Sequence, residues 1–185
     1  MATHIRGTML ASSLAVVREE GFEQKYFALL PAQYHTAVHG LVAQDWLSME
    51  LAIAHYAAMD RMFPTMAQQL ENGRRAAQRA QVGYIQAVVR TLRLTGTIDL
   101  AAGLKRVPDV IARIVRGGSC NVYLVARKDG RIELNGYPFL ASRYVHNGWQ
   151  GMFEASFSML SRRIFVRQDL LCSGDDCMAL DVSWV

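Results

Sequence analysis

The feature that most constrains this chain is a change of hydrophobic period, from two to about 3.6 and back to two, between Cys120 and Val185. Two period-two segments, Asn121–Arg127 and Arg131–Tyr137, come first, joined at Lys128-Asp129-Gly130. Val122, Leu124 and Ala126 fall on one face, and Ile132 and Leu134 alternate with Arg131, Glu133 and Asn135. Gly130 is expected to take the positive φ that closes a short hairpin. Two more segments, Ile164–Leu171 and Cys177–Val185, flank the polar turn Ser173-Gly174-Asp175-Asp176. Between the pairs, Ser142 to Arg163 carries Val145, Trp149, Met152, Phe153, Ser156, Met159 and Leu160 at the spacing of one helical stripe. A helix laid across a four-stranded antiparallel sheet buries both apolar faces together. The fold class is therefore α+β: an N-terminal helical half followed by a β-β-α-β-β unit.

The helical half reads in order. Helices are expected over Thr8–Glu20, ended by Gly21, and over Phe22–Leu30, stopped by Pro31. Asp45 is the expected cap of a helix from Trp46 to Phe63, with Leu47, Leu51, Ala54, Ala58 and Met62 as its stripe. Thr65 caps the longest pattern, Met66 to about Leu94, whose inner positions are small: Gly73, Ala76, Ala77, Ala80, Gly83 and Ala87. Small residues let neighbouring backbones approach closely; beside Tyr84 they would alternatively leave room for a ligand. Two shorter helices, Ile98–Arg106 and Pro108–Arg116, lead to the hinge Gly117-Gly118. The 185 residues suit one domain, with 1–118 as the helical half and 119–185 as the β-β-α-β-β half.

Charge is unevenly spread. Residues 65–128 hold 11 basic and 3 acidic side chains, a net of +8, whereas the segments on either side are each −2. A solvated helix face accounts for this, because no aromatic residues interleave with the arginines and no nucleic-acid motif is present. Nucleic acid is not an expected partner. No run reaches the roughly 18 apolar residues of a membrane span, and the opening Met-Ala-Thr-His-Ile-Arg-Gly lacks the features of a secretory signal. A cytoplasmic protein with mostly reduced cysteines is expected.

Several residues invite chemistry. His35 and His39 stand at i, i+4, but the residues between them are Thr-Ala-Val, with no glutamate and no evident third ligand, so they read as surface histidines. His55, within an apolar stripe, reads as a satisfied structural residue. No Gly-rich phosphate loop, nucleophile elbow or defensible Ser/His/Asp grouping is present. Negative neighbours such as Asp175 and Asp176 would raise the thiol pKa of Cys172 and blunt it as a nucleophile.

The opening Ile5-Arg6-Gly7-Thr8-Met9-Leu10 and the closing Leu171-Cys172-Ser173-Gly174-Asp175-Asp176-Cys177 through Trp184 resemble an uncharacterised bacterial family of this length. More broadly, helices followed by strand–strand–helix–strand–strand resemble a ligand-binding superfamily. Its three groups are haem-nitric-oxide-binding domains, 4-vinyl reductase domains and trafficking-complex subunits. The resemblance implies a small-molecule-binding or protein-interaction module, often dimeric.

In the haem branch a Tyr-x-Ser-x-Arg signature grips the propionates; here Tyr123-Leu124-Val125-Ala126-Arg127 has valine in the serine position. No histidine lies between His55 and His146, so haem is not expected. The 4-vinyl reductase branch ends in a cysteine turn that helps bind zinc, and Cys172-x4-Cys177 resembles it, with Cys120 as a further thiolate and Glu133 or Glu154 as an oxygen ligand. Zinc, a functional disulfide and plain thiols remain open.

The leading expectation is a non-enzymatic sensor or signalling module that takes a small apolar ligand between Trp149 and Phe153 on one helix and Tyr84 and Val88 on another. Tyr123, Arg127 or Tyr137 would supply its polar anchors. The alternative is a protein-interaction subunit acting as a homodimer or adaptor without ligand. A reductase-type enzyme comes third.

Overall fold

The computed structural model describes residues 1–80 and 99–185. The chain is α+β, with its helices mainly N-terminal and its strands mainly C-terminal.

The first strand, β1 (His4–Arg6), runs directly into α1 (Gly7–Glu19), after which Gly21 takes φ 71° and turns the chain into α2 (Glu23–Leu29). A 3-10 turn at Ala32–Tyr34 leads to α3 (His35–His39). The helix expected from Trp46 begins later. Trp46–Ser48 is a short strand, β2, and α4 spans Met49–Met62. Its cap is the Ser48 hydroxyl, which accepts from the Leu51 N–H at 3.3 Å, not Asp45, whose carbonyl instead accepts from Gly7 N at 2.8 Å.

The next helix, α5 (Met66–Ala80), opens on a reciprocal cap. Thr65 Oγ1 accepts from Gln68 N, and Gln68 Oε1 accepts from Thr65 N, both at 3.4 Å. The remainder of the long helix expected to Leu94 lies outside the described residues, with Gly83, Tyr84, Ala87 and Val88. Beyond it, α6 (Leu100–Leu104) is capped by Asp99, and α7 (Val107–Ile114) passes into β3 (Val115–Arg116).

The sequence pattern did not reveal the first sheet, β2-β1-β3, because its strands are two or three residues long. It ties the chain's start to two later points, with Ile5 opposite both Leu47 and Val115 and wholly buried.

The second sheet is the expected four-stranded one. Strands β4 (Ser119–Ala126), β5 (Asp129–Asn135), β6 (Ile164–Gln168) and β7 (Cys177–Trp184) lie in the order β4-β5-β7-β6, antiparallel throughout. The hairpin turn falls at Arg127-Lys128, one step earlier than expected. Gly130 is therefore inside β5, opposite Leu124 and Val182, and its φ is not positive. Its missing side chain serves close packing: a Cβ there would come within 2.8 Å of Leu104 Cδ1. β6 is shorter than expected because the Asp169 side chain accepts from Leu171 N at 3.1 Å and starts a 3-10 turn at Leu170–Cys172.

The last helix, α8 (Arg143–Phe157), is capped by Ser142 and buries Tyr144, Val145, Trp149, Phe153 and Phe157. Opposite them, Ile132, Leu134, Leu180 and Val182 are less than 1% exposed on the inner sheet face. One cluster of buried side chains runs through both halves.

The tightest helix approach among the described residues joins α5 to α8, and glycine makes it. A Cβ on Gly73 would lie 1.8 Å from the Gly148 carbonyl oxygen, and one on Gly151 would lie 2.1 Å from that of Leu70. Of the small residues of α5, Gly73 serves backbone contact. Gly151→Ala must push the two helices apart and should cost about 3 kcal/mol in denaturant melts, at the upper end for an overpacked core. Gly40→Ala, which meets only ordinary contact at 3.5 Å, should change stability by less than about 0.5 kcal/mol.

Candidate functional site

Beside the glycine contact of α5 and α8, a cavity of about 80 Å3 opens between α1, α4, α5 and α8. Its α8 wall is Tyr144, Val145, Trp149 and Met152. Facing them are Met9 on α1 and Asn72, Gly73 and Ala76 on α5, with Tyr56 and Ser13 closing the base. The lining is almost wholly apolar. α8 is held in place around it by three polar contacts: the Asp60 carboxylate accepts from Tyr144 N at 2.6 Å, Asn147 Nδ2 donates to Gln69 Oε1 at 2.6 Å, and Arg74 pairs with Glu154 at 2.7 Å.

Beneath the cavity sits His55, wholly buried. Its Nε2 meets Ser13 Oγ at 2.6 Å and its Nδ1 meets the Tyr26 hydroxyl at 2.8 Å, so both ring nitrogens are satisfied. Burial pushes its pKa down to about 3 and raises those of Tyr26 and Tyr56. The group is a neutral structural bridge between α1, α2 and α4, as read from the sequence. His35 and His39 both pack on the Phe27 ring, and His35 also meets the Leu30 carbonyl at 2.9 Å.

One polar atom in the cavity wall stands apart. Asn72 is 4% exposed, and its Nδ2 has no hydrogen-bond partner among the described residues. The amide lies near the Tyr144 hydroxyl and draws that phenol's pKa down slightly against the larger upward push of burial. The approach falls short of hydrogen-bond geometry.

The pocket residues expected from the sequence separate in the structure. Trp149 lines the cavity, and Phe153 stands behind it with ring centroids 6.2 Å apart. Tyr123 is opposite Arg131 on the outer sheet face and 48% exposed, and Arg127 is an exposed turn residue. Neither reaches the cavity. Tyr137 is buried against Phe139, and Tyr84 and Val88 lie outside the described residues. Sequence reasoning missed Asn72, Tyr144 and Met9. Asn72 stands one position before Gly73, the first of the small residues on α5, and the pattern held no signal for it.

The cysteines do not form a metal centre. Cys120 is in register with Leu134 and then Met178, whereas Cys177 is opposite Asn135, one position along. Adjacent positions on a strand point to opposite faces, so Cys120 and Cys177 are on opposite sides of the sheet. Glu133 is paired with Arg131 at 2.7 Å, and Glu154 with Arg74. No group of three potential ligands converges among the described residues, and the three thiols are free. Cys172 hydrogen-bonds to Asp169, which raises its pKa, and desolvation pushes Cys120 up to about 12. Zinc on these residues is thereby withdrawn.

The fold is shared with solved structures of H-NOX proteins. The Fe(II) unliganded H-NOX protein from K. algicida superposes with a TM-score of 0.66 at 7% identity, over 98% of this chain and 97% of that one. A single-site mutant of the T. Tengcongensis H-NOX gives 0.60 at 11% identity, over 97% of each chain. Cs H-NOX carrying an unnatural amino acid gives 0.60 at 11%, over 97% of this chain and 96% of that one. No family model matches the chain, and no curated protein matches it.

This likeness corrects the expectation about haem. The proteins that share the fold include structures solved to study heme distortion and heme redox potential, so haem is the cofactor that the fold implies. The described residues, taken alone, do not fit it. A cavity of about 80 Å3 is far below the roughly 300–1,000 Å3 of pockets that enclose drug-sized ligands. His55 is engaged at both nitrogens, His146 pairs with Gln168, and the Tyr123–Arg127 strand segment is exposed.

The buried imidazole makes a pH prediction. Unfolded, His55 titrates near 6.5; folded, it stays neutral to about pH 3. Below pH 6.5 the unfolded chain binds a proton that the folded chain does not, so its contribution to stability is full above 6.5 and declines as pH falls. Between pH 6 and 5 the unfolding free energy should fall by up to about 1.4 kcal/mol per unit. That slope should flatten in His55→Gln; an unchanged slope would place the titration elsewhere.

Proposed function

We propose that the chain is a non-enzymatic small-molecule-binding module of regulatory type, with its site in the cavity between α1, α4, α5 and α8. The observation that carries this reading is an apolar hollow next to the glycine-lined helix crossing of a fold shared with H-NOX proteins. The same helix that walls the cavity also reaches the sheet, because Gln150 Nε2 donates to the Val166 carbonyl of β6 at 2.9 Å. An occupant that presses on Tyr144 and Trp149 therefore moves a helix whose far side is bonded to the C-terminal sheet. Catalysis is not part of the reading: His55 and Tyr26 beneath the cavity are hydrogen-bonded and neutral.

A second reading, protein interaction, draws on apolar groups left outside. Phe165 is 49% exposed, and Leu170 and Leu171, in the turn after β6, are 76% and 97% exposed. It predicts a homodimer or adaptor complex whose assembly those residues control. A native mass spectrum showing only monomer, unchanged in Leu171→Ser, would count against it.

Xenon under modest pressure tests the cavity, since dry apolar cavities take it up. Saturable NMR shifts at the Trp149 indole and the Met152 methyl are expected. They should vanish in Ala76→Leu, whose three added carbons occupy the space, with Ala76→Val as a milder variant if the first melts uncooperatively. Absence of any shift in the unmodified protein overturns the reading. A one-to-one haem complex with a Soret band would replace direct binding by a haem-mediated site.

A further inference from the structure

We infer that the ligand of this cavity is a small neutral molecule of about four non-hydrogen atoms that carries one hydrogen-bond acceptor, received by Asn72 Nδ2. A small ketone or aldehyde is the class. The inference rests on the reading that the cavity is the binding site, and two observations take it further.

The first is size. About 80 Å3 is roughly half the ~150 Å3 of an apolar cavity that takes up benzene. That admits three or four heavy atoms and excludes rings of six.

The second is the orphaned donor. A buried amide N–H without an acceptor costs about 1–3 kcal/mol, and native proteins pair nearly all such groups. Here the donor has no partner among the described residues, and Asn72 is one of the residues that line the cavity. The two serines at the wall are spoken for. Ser13 Oγ is engaged by His55 and by the Leu10 carbonyl at 3.0 Å, and Ser12 Oγ donates to the Thr8 carbonyl at 2.9 Å. A buried water is a poor occupant, since it needs two to four polar partners. A carbonyl oxygen is a good one: it asks for a single donor, and the attached alkyl groups meet Met9, Ala76, Trp149 and Met152. Charge is excluded, because no ionised side chain lines the cavity and an unpaired ion there would be strongly disfavoured.

Acetone and isobutene make the matched pair of probes. They have the same shape, and only acetone accepts a hydrogen bond. Affinities for both are read by ligand titration on the Trp149 and Met152 signals, in the unmodified protein and in Asn72→Leu. Leucine nearly matches asparagine in shape and removes the donor, so the ligand-free variant should melt at an equal or higher temperature. Asn72→Val serves if it does not. The acetone-to-isobutene affinity ratio should fall about tenfold on substitution, chiefly through weaker acetone binding, as expected for loss of one hydrogen bond. A ratio that does not move while both probes and xenon still enter overturns the assignment of Asn72 and leaves the cavity reading standing. If neither probe nor xenon enters, the cavity reading itself falls.

Discussion

The contact between α5 and α8 governs the rest of the molecule. Two helices packed through ordinary side chains lie 8–10 Å apart. Here the Gly73 and Gly148 backbones and those of Gly151 and Leu70 touch with no side chain between them. Such an approach fixes the two helices along a short seam. Beside the seam, Ala76, Trp149 and Met152 leave a hollow that Gly73 and Gly148 also line. The seam and the hollow are two consequences of one crossing. Glycine at three positions supplies the contact, and the side chains just beyond define the void.

Electrostatics around this crossing organise the basic middle of the chain. The net +8 of residues 65–128 suggested a solvated face, and part of that charge is instead matched within the molecule. Arg75 bridges Glu19 and Glu20 at 2.5 and 2.8 Å, Arg79 also meets Glu19, and Arg74 meets Glu154. These partly exposed pairs are each worth little. Gly73 and Ala77 of the same helix face inward. Asn72 comes with them, one residue from Gly73, and is turned into the interior where it has no partner among the described residues.

The β-β-α-β-β order was legible because period-two and period-3.6 patterns are long there and each strand is half buried. The helix cap at Ser142 and the turn after Gln168 were one step from legible, since Asx and Ser caps shift a boundary by only a few residues. The three-stranded sheet was not legible, since two or three residues carry no periodicity and pairing partners about 40 and 110 positions away leave no local trace. Gly130 misled for a physical reason: a glycine after Lys-Asp reads as a turn residue, but Leu104 from a distant helix needed the space. Trp149 lines the cavity, and its place on the buried stripe of an amphipathic helix was legible. Tyr123 and Arg127 were misplaced because alternation says which residues share a face and not which face meets the helix.

The contrast between a shared fold and 7% identity has a physical resolution. What the fold requires is local: small residues where helices cross, alternation in four strands, and caps at helix ends. Those demands are met by residue classes, so sequence can drift while topology persists. A cavity is less tolerant. Its volume is the residue of every side chain around it, so one exchange of alanine for leucine alters what it admits. The donor on Asn72 is less tolerant still, since the empty site leaves a buried N–H unsatisfied and the filled site does not. A ligand that supplies the missing acceptor recovers that cost as part of its own affinity. In this chain the unpaired amide is therefore the group through which occupancy of the cavity and stability of the α5–α8 crossing are coupled.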